Sequence, residues 1–241
     1  SSGDIALFLN RGGGVFDAAP PVATLERPKT LVLGDADSDG LTDLVVAALG
    51  VIGVHHGGGD GTFTEPRVVL RSDPPRTYLD VALGDVSGDS IPDLLAVAPG
   101  STELLILRGK GNRELEEPSR VPLSSGPRSI SLSDLDRDGL LDITTANSGK
   151  AVSFIFNRGK DGLEPPFYFG GALPPALDHL VLDLNRDGAM DLVLFAVGTI
   201  YVFNGLPPAA PPSGSFRRGD ADANGEAEIT DAIALLRYLF V

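Results

Sequence analysis

The 241-residue chain has no cysteine, no tryptophan, one methionine, four tyrosines and only 19 lysines and arginines. Without thiols there can be no disulfide, no zinc–thiolate centre and no cysteine nucleophile. Against those 19 cations stand 33 aspartates and glutamates, a formal charge of −14 that argues against a nucleic-acid backbone or an anionic membrane surface as the main partner. A metal or a neutral partner fits better. No apolar run approaches the roughly 18 residues that a spanning helix needs, so membrane insertion is not expected. Sugar sites stack their ligands on exposed aromatic faces, so the scarcity of aromatics weighs against a lectin. No Ser-His-Asp order and no Cys-His pair is available, no catalytic residue is assigned, and the chain is not expected to be an enzyme.

Glycine and proline are plentiful, 30 and 19 residues, with only short apolar runs between them, which reads as many short strands joined by turns. An Asp-rich nonapeptide recurs: Asp35-Ala-Asp37-Ser-Asp39-Gly40-Leu41-Thr-Asp43, Asp85-Val-Ser87-Gly-Asp89-Ser90-Ile91-Pro92-Asp93, Asp134-Leu-Asp136-Arg-Asp138-Gly139-Leu140-Leu-Asp142 and Asp183-Leu-Asn185-Arg-Asp187-Gly188-Ala189-Met-Asp191. The copies start 50, 49 and 49 residues apart, so one structural unit is repeated. After each loop come an apolar run, a second strand and, in the complete copies, a Gly-rich turn and two more short strands. About four strands per unit at this period is the signature of β-propeller blades, whose sheets stack face to face and so can be apolar on both sides.

Both ends are ragged. Residues from Ile5 match those from Val152, so the chain is expected to begin at the second strand of a unit, and the last unit has only two strands before Leu206 opens a Pro-rich linker. Three complete and two partial blades result. They either close a ring of their own, the partial ends sharing a blade, or belong to a propeller with further blades upstream; the second is the expectation here.

Within each loop, positions one, three, five and nine carry oxygen side chains, and position six is glycine in three of four, which lets the chain turn sharply around an ion. The backbone carbonyl at position seven (Leu41, Ile91, Leu140, Ala189) adds a fifth ligand residue. Hard oxygen ligation favours Ca²⁺ over zinc or copper, and so many carboxylates disfavour Mg²⁺, which keeps its waters. Asp and Asn also make turns without metal, but the repetition in register favours calcium. The second loop is the weakest, since Ser87 replaces an acid, Ser90 replaces glycine and Pro92 adjoins the last ligand.

The Asp-x-Asp-x-Asp-Gly-x-x-Asp loop running into an apolar strand, followed by a Gly-rich hairpin such as "GDGTF", resembles the FG-GAP or VCBS-type repeat related to integrin α-subunit propellers, over about residues 3 to 205. The resemblance implies structural calcium loops within blades and a use in adhesion or in protein or glycan binding, occasionally as the scaffold of polysaccharide lyases. The resulting domain plan is a propeller over 1–205, a linker over 206–215 and a separate module over 216–241.

In that last segment Asp220, Asp222, Asn224, Gly225, Glu228 and Asp231 fall at positions 1, 3, 5, 6, 9 and 12 of a twelve-residue loop, with the Glu226 carbonyl at position 7, the spacing of an EF-hand-type site before a helix. It resembles half of a dockerin module, which implies a cohesin-like partner. The helix carries Ile233, Leu235, Leu236, Leu239 and Phe240, and the parent protein is expected to continue past Val241. The loops hold 18 of the 33 acids, so five bound Ca²⁺ would bring the charge from −14 to −4.

Other signals are discounted. The Arg-Gly-Asp at 218–220 has its aspartate committed to the tail loop. His55 and His56 sit side by side on a strand, pointing to opposite faces, and with His179 read as ordinary strand histidines. Gly57 to Gly61 lacks the Lys-Ser/Thr of a phosphate loop and reads as a hairpin turn. The sequence thus predicts a non-catalytic, calcium-stabilised binding or adhesion propeller, secreted or on a cell surface, of bacterial origin, with about four calcium sites in the blades and one in the tail. The alternative is the scaffold or accessory part of a secreted polysaccharide-degrading enzyme.

Overall fold

A computed structural model of the chain describes residues 3–205 apart from 74, 124–125, 150–151 and 171–172. The linker and the EF-hand-type loop with its expected ligands Asp220, Asp222, Asn224, Glu226, Glu228 and Asp231 lie outside the described residues. Those described are all-β, with one 3-10 turn at Gly159–Asp161. No described helix is long and apolar enough to cross a membrane.

Three antiparallel sheets have four strands each: Thr30–Gly34, Asp43–Ala48, Val51–His55 and Arg67–Arg71; Asp80–Gly84, Asp93–Val97, Glu103–Leu107 and Ser119–Pro122; Pro127–Ser133, Asp142–Asn147, Val152–Ile155 and Phe167–Phe169. A fourth sheet has three, Ala176–Leu182, Asp191–Ala196 and Thr199–Phe203. At the start of the chain Asp4–Ile5 pairs with Val22–Ala23, and Phe8–Gly12 pairs with Val15–Ala18. Each Asp-rich loop joins the first strand of a sheet to the second. The sheet is therefore displaced by one strand from the unit read in sequence, because the strand leading into a loop pairs with the strand leaving it.

The second strands are buried along almost their whole length. They have a neighbouring sheet on each face, and the side-chain period of two divides their residues between the two faces. In Asp93–Val97, Leu94 and Ala96 pack with Val45, Ala47 and Ile52 of the first sheet, while Leu95 and Val97 pack with Ile143 and Ile155 of the third. A third cluster, with Ala146, Val152, Ala176, Leu192 and Leu194, joins the third sheet to the fourth. Leu180, Ile200 and Val202 of the fourth sheet remain 50–61% exposed.

The first strands of successive sheets lie beside one another. Polar contacts bridge them at the repeat spacing of 50 residues: Thr30 Oγ1 donates to Asp80 Oδ1 (3.4 Å), the Ile130 amide donates to Asp80 Oδ2 (2.8 Å), and Ser129 Oγ meets His179 Nδ1 (2.8 Å). Equivalent positions thus touch in adjacent sheets, a propeller-like stack. It brings the four Asp-rich loops to corresponding ends of the four sheets.

Candidate functional site

The four loops share one hydrogen-bond plan. The position-one carboxylate accepts the amide of position six in every copy: Asp35 from Gly40, Asp85 from Ser90, Asp134 from Gly139 and Asp183 from Gly188, at 2.7–3.0 Å. Position five accepts the amide of position seven: Asp39 from Leu41, Asp89 from Ile91, Asp138 from Leu140 and Asp187 from Ala189, at 2.7–2.9 Å. Such Asx turns fold the chain back on itself and bring the carboxylates together. Ligand oxygens of Asp35, Asp37 and Asp39 lie within 4.8 Å of one another, as do those of Asp134, Asp136 and Asp142. In the fourth loop the Asn185 Oδ1 and Nδ2 atoms bond the amide and Oδ2 of Asp187, both at 2.9 Å, and Asp183 Oδ1 is buried with no hydrogen-bond partner. A buried anionic oxygen without a donor is costly unless a cation meets it.

Position nine is different in kind. Asp43, Asp93, Asp142 and Asp191 are fully buried, and each spans two backbone amides. Oδ2 accepts from position two (Ala36, Val86, Leu135, Leu184) and Oδ1 accepts from the second residue after the third strand (Gly57, Gly109, Asn157, Gly205), all at 2.8–2.9 Å. These carboxylates brace the loop to the rest of its sheet. Burial pushes the carboxyls of Asp93 and Asp142 above the usual range, and the acids of their own loops, Asp85 and Asp89 or Asp136 and Asp138, push the same way. Burial also pushes Asp85 up, but the donors Ser90, Gly88, Ser87 and Asp89 outweigh it and hold that carboxyl below the usual range. At Gly57 a Cβ would stand 2.1 Å from the Thr42 carbonyl oxygen, so the brace needs glycine there. In the third loop Asn157 takes this place, and its side-chain Nδ2 donates in addition to the Val86 and Leu141 carbonyls.

The backbone explains the departure of the second loop from the pattern. Position six has positive φ in all copies (Gly40 84°, Ser90 68°, Gly139 87°, Gly188 85°), and so does position four (Ser38 64°, Gly88 79°, Arg137 65°, Arg186 62°). The second loop has exchanged its glycine between two left-handed positions and kept the same path. Position four gave no sequence signal, because three of its four residues are not glycine.

The charge of the loops is met unevenly. Arg113, from a two-stranded hairpin (Gly109–Gly111 and Glu114–Leu115) that connects the third and fourth strands of the second sheet, donates through Nε to Asp37 Oδ2 (2.8 Å) and approaches Asp39 Oδ2 (3.5 Å). Arg158 contacts Asp136, approaches Asp138 Oδ2 (3.6 Å), and bonds Glu164 (2.7 Å). Hydrogen bonds to Asp37, and to Glu164 and Asp136, push the two guanidinium pKa values up. Among the described residues no ion pair reaches the second or the fourth loop. His55 is held by Thr24 Oγ1 (2.7 Å) and the Thr64 carbonyl (2.9 Å), as an ordinary strand histidine is. Gly57 and Phe63 bridge across the Gly-rich turn, which is a hairpin.

Comparisons agree with this architecture. The chain is 30% identical to human integrin alpha-IIb over 168 aligned positions, which cover 54% of this chain and 16% of the integrin subunit. An Agrocybe aegerita lectin that recognises non-reducing terminal N-acetylglucosamine superposes with a TM-score of 0.58 at 19% identity, over 84% of this chain and 57% of the lectin. That likeness is one of fold. The chain spans only part of the length of both relatives. The FG-GAP-like repeat family matches three overlapping stretches, residues 35–96, 85–145 and 134–194, each running from one Asp-rich loop through the next, and the chain belongs to that family.

Proposed function

We propose that the chain is a calcium-stabilised, non-catalytic binding module whose propeller presents its surface to an extracellular protein or glycan. The observation that carries the reading is one loop hydrogen-bond plan recurring at the same point of four successive sheets, with carboxylates converging in the first and third loops and Asp183 Oδ1 left buried and unpaired in the fourth. In each loop the side chains at positions one, three and five, the position-seven carbonyl and a free lone pair of the position-nine brace would surround Ca²⁺. The ion fixes loop geometry and relieves the repulsion of neighbouring acids.

Integrin alpha-IIb and the lectin support a binding role. A recess of about 490 Å³ between the first and second sheets, walled by Arg71, Asp73, Arg76, Glu103, Glu116 and Arg120, is a place for a polar ligand. The exposed Leu180, Ile200 and Val202 support continuation of the stack around a ring. We assign the EF-hand-type tail to attachment through a cohesin-like partner.

The test is to probe glycan and extracellular-protein arrays with the full chain in calcium and in chelator. Retention on a defined ligand class that chelator abolishes is expected. Retention indifferent to chelator, or none on either array, would overturn the reading.

A further inference from the structure

All three histidines are described, and two of them have both ring nitrogens engaged: His55 as above, and His179 between Ser129 Oγ (2.8 Å) and Thr144 Oγ1 (2.7 Å). His56 does not. Its side chain is 8% exposed, and neither Nδ1 nor Nε2 makes a directed hydrogen bond. Yet Nδ1 lies 3.1 Å from Asp37 Oδ2 and 3.6 Å from Asp43 Oδ2, and those carboxylates are 3% and 0% exposed. The three donors fall within 4.8 Å of one another. A buried polar ring aimed at two buried carboxylates, with no donor–acceptor geometry to hold it, is the arrangement a cation would complete.

We infer that Asp37, Asp43 and His56 form a binding site for a divalent transition ion, of the Zn²⁺ or Co²⁺ kind, at the inner end of the first loop. Imidazole nitrogen suits these ions and is a poor ligand for Ca²⁺. Donors about 2.0 Å from a tetrahedral zinc stand about 3.3 Å apart, and the two distances from Nδ1 fall on either side of that value. Water fills the open position. The site is particular to the first sheet: where it has His56, the later sheets have Arg108, Phe156 and Asn204, none of which can ligate in this way. Beyond His56, Val45, Val54, Leu83 and Leu94 line a small apolar hollow that limits access of water. Arg113 Nε, 2.8 Å from the same Asp37 oxygen, is the competing cation, and its half-exposed side chain can swing into solvent as an ion enters.

The inference shares Asp37 and Asp43 with the calcium reading but does not depend on it. Calcium-free full-length chain is titrated with Co²⁺ and followed by visible absorption, while Ca²⁺ is titrated separately by calorimetry. One Co²⁺ is expected to bind with a nitrogen-ligated spectrum; His56→Gln weakens it at least tenfold and leaves the number of Ca²⁺ bound unchanged, and Arg113→Ala tightens it. Equal Co²⁺ affinity in His56→Gln, or no Co²⁺ binding by the parent chain, overturns the inference. Should the His56 variant fail to fold, ¹⁵N spectra of the parent chain decide. Zn²⁺ must shift the His56 ring nitrogens and leave those of His55 and His179 in place; an unshifted His56 overturns it. Loss of Ca²⁺ binding with Co²⁺ binding retained would count against the calcium reading alone.

Discussion

The first and third loops differ from the second and fourth in how they meet the same charge. In the first pair an arginine reaches the acids, Arg113 from the next sheet and Arg158 from its own. In the second pair the acids lean on the loop itself: Asp85 takes five donors from its own loop, and in the fourth loop Asn185 bonds Asp187 while Asp183 Oδ1 has nothing. One repeat therefore dictates one backbone, and the surroundings dictate the electrostatics. Equal sequence motifs need not make equal ion sites.

The braces are common to all four loops, so removing one should cost about the same in either pair. Asp93→Ala or Asp142→Ala strips two buried amides of their acceptor and is expected to cost about 2–5 kcal/mol in chemical denaturation in chelator, and more in calcium, where an ion ligand is lost as well. A loss seen only in calcium would make position nine a simple ligand.

A control lies away from the loops. Burial depresses His179 from 6.5 to about 4. The unfolded chain thus takes up a proton there between those values and the folded chain does not. Stability is present above pH 6.5 and falls as pH is lowered toward 4, by about 3 kcal/mol for this group. Denaturation across that range should show the slope in the parent chain with calcium held saturating, and His179→Gln should lack it.

The pairs separate most directly through the arginines. Arg113→Ala and Arg158→Ala each remove a tethered cation, so Ca²⁺ should bind the first and third loops more tightly by several-fold, with the second and fourth unchanged. Calorimetry on both variants checks this; uniform affinities in the parent chain would abolish the contrast. The smallest effect concerns the backbone. Ser90→Gly relieves a left-handed residue (φ 68°) and should stabilise the second loop by about 0.5–1 kcal/mol, read as a small rise in melting temperature.

Much of this was legible in sequence. The 49–50-residue period, the two-faced apolar strands and the convergence of Asp35, Asp37 and Asp39 in the first loop all follow from the written pattern, since local spacing decides them. Three things were not. Left-handed φ at position four falls on Ser38, Arg137 and Arg186, which carry no glycine signal. The braces end on Gly57, Gly109, Asn157 and Gly205, 14 to 16 residues away, where only sheet pairing brings them. Arg113 reaches Asp37 from 76 residues downstream, and the hairpin that carries it lies beside His56, which reads in sequence as an ordinary strand residue.

Calcium is the proposed reason for the repeated acids. The most direct test is calorimetric titration of Ca²⁺ into the chelator-treated full chain with thermal melts alongside. Four to five sites and a large rise in melting temperature are expected; an absence of binding heat together with an unchanged melt would leave the repeat as a turn motif.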